Sequence, residues 1–306
     1  MTQKLLRIYG FEYMFIGGNR KGLVQKFIGL FNYSYRLFRI MKKENVSLAI
    51  SAGSPYVAVA GWFSRIPAFQ FIDTEHASLN LSILKIFSDK ILTPSCFIKK
   101  LGRKHSLFES YLELAYLHPA YFKPNPTILK ELGVKKGEKY FILRFVGWEA
   151  SHDIGHSGLT IESKRELIKL LIKYGKVFIS SEKPLPKEFE RFNLSTSPEK
   201  MHNVLYYATM YVGEGGTMVT ESALLGTPAV YISSLAGTMG NFIDLEEKYG
   251  LSYSFKSSDN AFKKIEKLLK NKSLKKEWQE KRKTLLHDKI DMTKWMVKMI
   301  ENTNDK

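Results

Sequence analysis

Short apolar runs rich in β-branched and aromatic residues alternate with stretches of helical period along most of the chain. The runs "EYMFIGG", "VSLAIS", "AFQFID", "KILTPS", "KYFILRFV", "GKVFISS", "MYVGE" and "PAVYIS" predict strands. Apolar residues at helical spacing predict helices over 21–43, 55–64, 163–174 and 217–225, and a lysine-rich helical end from Asn260. Strands apolar on both faces and alternating with helices imply parallel β-α-β sheets.

The regularity breaks at "LHPAYFKPNP", where Pro119, Pro124 and Pro126 can continue neither a helix nor a central strand. This stretch predicts a linker at 119–127 between an N-terminal α/β domain (1–118) and a C-terminal one (128–306). The N-terminal half is short, with about four strands, and lacks the opening strand and glycine-bearing turn of a doubly wound domain.

With 306 residues, 44% of them hydrophobic, the chain is large enough for two cores. Its single cysteine, Cys96, excludes a disulfide framework or a multi-thiolate metal site and fits a reducing, cytoplasmic setting. The net charge of +17 points to an anionic partner. The basic residues are dispersed, without an arginine-rich arm or zinc-finger spacing, which disfavours nucleic acid. No apolar run approaches the ~20 residues of a transmembrane helix. The 21–43 helix is amphipathic and basic. It is expected to pack on its own sheet with its charges solvated; the other reading is a helix resting on an anionic membrane surface.

Three constellations could carry chemistry. In "MYVGEGGTMVTESALLGTPAV" a strand runs into Gly213, Gly215 and Gly216, Thr217 opens a helix, and Gly226 and Pro228 end it. Bare backbone N–H groups at a helix start suit a phosphate, and Glu221 lies one turn on, on the same face as Thr217, where it could bind ribose hydroxyls. Glycines also make tight turns without a ligand, and both readings stand. The spacing is neither a Walker loop nor the dinucleotide fingerprint.

The second constellation, "RFVGWEASHDIGHSG", places Arg144, Glu149, His152, Asp153 and His156 in one loop after a strand. Arg144 could neutralise a phosphate and His152 could move protons, and the glycines argue against a helical metal site. The third, "FQFIDTEHAS", sets Asp73, Glu75 and His76 past a buried strand as candidate bases. Ser181 in "SSEKPLP" and His202 in "PEKMHNVLYYA" fall at further strand-to-helix positions; His202 could lie against a base or simply open its helix. "SAGSPY" is another such turn.

Two α/β halves joined at a proline-rich stretch resemble the GT-B fold of nucleotide-sugar glycosyltransferases. "GEGGTMVTESALLGTPAV" is similar to the donor-binding signature of the lipid-linked muropeptide N-acetylglucosaminyltransferase and of the non-hydrolysing UDP-N-acetylglucosamine 2-epimerases. "SAGSPY", "DTEHA", "ELAYLHP", "RFVGWEASHDIGHSGL" and "SSEKPLP" resemble a prokaryotic GT-B-like family of unknown function over nearly the whole chain. The resemblance implies two Rossmann-like domains facing a cleft. It places the diphosphate on Gly215, Gly216 and Thr217 and the ribose on Glu221. Relatives begin with a further strand, helix and strand, so about forty residues are expected to be missing at the start. The N-terminal sheet is then expected to be incomplete, with a gap or a rearranged order.

The expected function is transfer of a sugar from a nucleoside diphosphate, expected to be UDP-linked, to an acceptor, with no further cofactor and no metal. The helix start and Arg144 would stabilise the leaving diphosphate. Asp73, Glu75 or His76 would be the base, and Asn241 and Asp244 would contact the sugar. A phosphate-linked lipid or glycan is the expected acceptor, and the inner face of the membrane a peripheral location. The alternatives are a 2-epimerase-like enzyme, with His152 moving protons, and a non-catalytic nucleotide-binding protein.

Overall fold

A computed structural model describes residues 2–18, 22–146, 158–181 and 184–304. The chain forms two compact units. The larger comprises Met1–Tyr9 and Glu113–Lys289, and the smaller Gly10–Leu112 and Ile290–Lys306.

The chain begins with α1 (Thr2–Ile8) of the larger unit. The smaller unit follows: α2 (Leu23–Lys43), β1 (Ala49–Ser51), α3 (Pro55–Ser64), β2 (Ala68–Phe71), α4 (Ser78–Phe87), β3 (Lys90–Pro94) and β4 (His105–Phe108). The larger unit resumes with α5 (Leu114–Leu117), α6 (Thr127–Glu131), β5 (Tyr140–Phe145), α7 (Ile161–Leu171), β6 (Lys176–Ser181), α8 (Met201–Tyr207) and β7 (Met210–Gly213). It continues through α9 (Gly216–Leu224), β8 (Ala229–Ile232), α10 (Gly240–Ile243), β9 (Ser252–Phe255), α11 (Ser258–Leu269) and α12 (Leu274–Asp288). The last helix, α13 (Met292–Asn304), returns to the smaller unit.

The smaller unit holds a four-stranded parallel sheet in the order β1-β2-β3-β4. α3 packs against both α2 and α4. Its small residues allow close approach, with Ala58 and Ala60 fully buried. Ala58, Ile72, Leu81, Leu84 and Ile91 share a core with Phe97 and Leu101. From α13, Trp295 lies 5.5 Å from Phe108 and 6.4 Å from Phe71, ring centre to ring centre. The return is fixed where Ile290 donates its N–H to the Glu109 carbonyl at 2.9 Å and accepts from Ser110 Oγ at 3.0 Å.

The predicted strand "EYMFIGG" does not form: Glu12–Gly18 carries no strand. Side chains of α2 hold its carbonyls instead of a neighbouring strand. Arg36 Nη1 donates to Ile16 O at 2.9 Å and Tyr33 Oη to Gly18 O at 2.8 Å.

The larger unit holds a five-stranded parallel sheet in the order β6-β5-β7-β8-β9. Leaving β5, the chain first builds to one side (β6) and then returns to the other (β7), so a topological switch falls between β5 and β7. Crevices at such points, beyond the carboxyl ends of the strands, are where open α/β sheets bind ligands. The three-proline stretch lies inside this unit and does not divide the chain. Phe122 packs edge-on against the His202 ring at 6.1 Å, and Asn125 N–H donates to Asn203 Oδ1 at 2.7 Å. These contacts, with the return of α13, set the units apart from the expected domains 1–118 and 128–306.

Candidate functional site

The switch point brings Arg144 of β5 beside Gly213 of β7, its register partner. A Cβ on Gly213 would lie 2.7 Å from the Arg144 carbonyl oxygen, so this glycine is required by strand packing. Gly215 and Gly216 are different. At Gly215 a Cβ would meet the Arg144 side chain at 3.0 Å, and at Gly216 the Phe242 ring at 3.1 Å. Gly215 is the N-cap of α9, at φ −89° and ψ 110°, and no side chain caps the helix. Among the described residues no side-chain oxygen caps the opening N–H groups of α9, and Thr217 is exposed. Tyr211 fixes the turn from below by donating its hydroxyl to Gly215 O at 3.1 Å. Complete burial raises the pKa of that hydroxyl, which keeps its proton. At the other end of α9, Gly226 takes φ +70°, the left-handed C′ position expected from sequence.

Glu221 is nearly buried in α9, at 8% exposure. Its Oε1 accepts from Tyr116 Oη at 3.0 Å and from His202 Nε2 at 3.1 Å. The Tyr116 and His202 rings stack with centres 5.2 Å apart, and Phe122 closes the far edge of His202. One carboxylate oxygen is thus held by two donors from α5 and α8. His202 is a partner of Glu221 and not merely the opening of its helix.

Arg144 Nη1 donates to Ser180 Oγ at 2.8 Å, so Ser180 orients the guanidinium. Ser181, the residue expected at this position, closes β6 in register with Phe145. Glu214, between the glycines, is buried. Its carboxylate accepts from the N–H groups of Val146, at 2.9 Å, and Leu159. The ammonium of Lys164 lies 3.8 Å away. One side chain therefore ties the two backbone positions that flank 147–157. Glu149, His152, Asp153 and His156 lie outside the described residues.

Asn241 is buried in α10. Its neighbour Phe242 reaches Gly216 and packs on Tyr231 at 4.8 Å, which brings the starts of α9 and α10 together. Asp244 forms an ion pair with the buried Lys289 at 3.2 Å.

The Asp73, Glu75 and His76 cluster belongs to the smaller unit. Asp73 accepts from Thr74 Oγ1 at 3.1 Å, and burial raises its carboxyl pKa. Glu75 is buried and accepts from the Ile98 N–H at 3.3 Å, while Lys99 Nζ donates to its carbonyl at 2.7 Å. These contacts tie the end of β2 to the segment after β3. Among the described residues, no group of three His, Cys, Asp or Glu side chains could hold a metal ion.

Sequence reasoning missed Tyr116, Ser180, Tyr211 and Glu214. Glu214 was the most accessible of these, since an acidic residue inside a glycine turn needs donors when buried.

An uncharacterized protein of Methanocaldococcus jannaschii is 26% identical over 238 residues, 74% of this chain and 69% of that one. Among solved structures, the UDP-GlcNAc 2-epimerase of Neisseria meningitidis, bound to UDP-GlcNAc, superposes with a TM-score of 0.68 at 10% identity. The match covers 98% of this chain and 88% of that one. A glycosyltransferase of Rickettsia africae superposes with a TM-score of 0.55 at 13% identity, covering 98% and 87%. At these identities the likeness shows the fold, which is GT-B-like. Residues 1–304 match the family described as "Protein of unknown function (DUF354)", and the chain belongs to that family.

Proposed function

We propose that the larger unit binds a nucleoside-diphosphate sugar, UDP-linked, and that the protein transfers the sugar to an acceptor hydroxyl. The observation that carries this reading is the uncapped start of α9 beside Arg144, with the Glu221 carboxylate fixed on the same helix. The diphosphate takes the opening N–H groups of α9, whose dipole favours an anion. Glu221 Oε1 is occupied by Tyr116 and His202, which leaves Oε2 to accept from a ribose hydroxyl. The exposed edge of the Tyr116–His202 stack offers the base an aromatic surface.

In the transfer, a bond forms between the acceptor oxygen and the anomeric carbon. The bond from that carbon to the diphosphate breaks, with the electron pair leaving on the diphosphate. Arg144 and the start of α9 stabilise that developing charge. The acceptor proton goes to a general base.

The test is thermal stabilisation by UDP, followed by product analysis with UDP-sugars. UDP is expected to raise the melting temperature, and Glu221→Gln to remove the shift while leaving the circular dichroism unchanged. Failure of every nucleoside diphosphate to stabilise the wild type sinks the reading. An isomerised donor formed without acceptor would replace transfer with 2-epimerisation, the reading in keeping with the higher TM-score of the epimerase.

A further inference from the structure

The helix α2 has three faces. Tyr33, Ser34 and Met41 are buried on one of them. Arg36, Arg39 and Lys43 are exposed along a second. Phe27, Phe31 and Tyr35, at i, i+4 and i+8, form the third, and they are 63%, 58% and 61% exposed. Phe27 and Phe31 touch edge-on at 5.1 Å, so the exposed rings cluster. Helical periodicity puts the basic stripe directly beside the aromatic one, with Lys42 ending the aromatic stripe.

The segment before α2 also exposes large rings. Phe11 and Phe15 are 63% and 66% exposed on a segment whose carbonyls are held by Arg36 and Tyr33 of that helix. Scattered exposed apolar residues are ordinary, but a row of large rings along one helix face, two of them in contact, marks a binding surface.

We propose that this face of the smaller unit docks on an anionic phospholipid surface, with the aromatic stripe in the headgroup layer and the basic stripe against the phosphates. Charge selects this occupant. Between Glu12 and Glu44 the sequence has no acidic residue, while Arg20, Lys21, Lys26, Arg36, Arg39, Lys42 and Lys43 all fall there. A second copy of the chain, docked face to face, would bring the same positive stripe against itself. An anionic bilayer neutralises the stripe and buries the rings. Among the described residues no helix is long and apolar enough to cross a membrane, so the contact is one of lying on the surface. The proposal rests on the smaller unit alone and does not depend on the nucleotide reading.

The experiment is co-sedimentation of the full chain with vesicles of phosphatidylglycerol and phosphatidylcholine, against phosphatidylcholine alone, at low and high salt. Binding is expected only with the anionic lipid and to weaken with salt. Phe31→Ser combined with Tyr35→Ser is expected to lower partitioning about tenfold or more through lost apolar burial. Arg39→Glu combined with Lys43→Glu is expected to lower it about tenfold through lost charge attraction. All four residues are outward-facing, and unchanged melting curves confirm that the variants fold. Equal binding to neutral vesicles, or variants that bind as the wild type does, overturns the proposal. So does a wild-type oligomer, seen by light scattering, that the serine variant dissociates.

Discussion

The two units build the same strand–turn–helix joint and finish it in opposite ways. In the smaller unit, β1 runs through Ser51–Ser54 into α3. Ser54 Oγ accepts from the Val57 N–H at 3.4 Å, Ser54 N–H donates to Gln70 Oε1 at 3.0 Å, and Pro55 opens the helix where no N–H is needed. Asn80 donates to the Gly53 carbonyl at 2.8 Å. That turn satisfies itself. In the larger unit, β7 runs through Glu214 and Gly215 into α9 with no side-chain cap, and the polar side chain in the turn, Glu214, faces away to Val146 and Leu159. A helix start becomes an anion site when its own turn withholds the oxygen that would fill it.

The largest effect expected from breaking this contrast is on folding. Gly213→Ala places a Cβ 2.7 Å from a backbone carbonyl that cannot yield. A loss of about 2–3 kcal/mol is expected, measured by urea denaturation. Stability equal to the wild type would show that β5 and β7 can separate at this position.

Exchanging the two endings tests the contrast directly. Gly215 already has N-cap geometry, and its nearest neighbour is the flexible Arg144 side chain, so Gly215→Asp fits and caps α9 with a carboxylate. Apparent affinity for UDP, by calorimetry, is expected to fall about tenfold or more, with stability raised by a few tenths of a kcal/mol. Ser54→Ala uncaps α3, and is expected to cost about 1 kcal/mol and to leave UDP affinity unchanged. Wild-type affinity in Gly215→Asp would remove α9 as the phosphate site.

The sequence made the interior of each sheet legible, and of the four edge strands it showed β1 and β6 but not β4 and β9. The runs now seen as β2, β3, β5, β7 and β8 are buried on both faces and read as continuous apolar stretches. "HSLF" (β4) and "SYSF" (β9) were missed because each is an edge strand, short and half polar. "EYMFIGG" misled because an apolar run states what wants burial, not whether a neighbouring strand exists to pair with it. At the site, Glu221 was found from helix spacing and His202 from its place at a helix start, both local signals. Tyr116 lies 105 residues from Glu221, and no local pattern announces such a contact. The same holds for Trp295, which packs on Phe71 and Phe108 of its own unit from the far end of the sequence.

The smallest expected effect concerns two histidines. His202, in the larger unit, faces Glu221 of α9. His105, in the smaller unit, sits in a closed network. Its Nδ1 accepts from the Leu101 N–H at 3.3 Å, so Nε2 carries the proton and lies 2.7 Å from Thr93 Oγ1. Burial lowers the pKa of His105 below the ordinary 6.5, in accord with an Nδ1 that serves as acceptor. The sign follows: between the lowered value and 6.5 the unfolded chain binds more protons than the folded one, so stability rises with pH across that window. The stabilising contribution is complete above 6.5 and is lost as the pH falls toward the lowered value. His105→Gln is expected to flatten that part of the melting-temperature profile and to leave UDP binding unchanged, whereas His202→Gln should weaken UDP binding by releasing Glu221. If His105→Gln altered nucleotide affinity as much as His202→Gln, the division between a closed joint and an open one would fail.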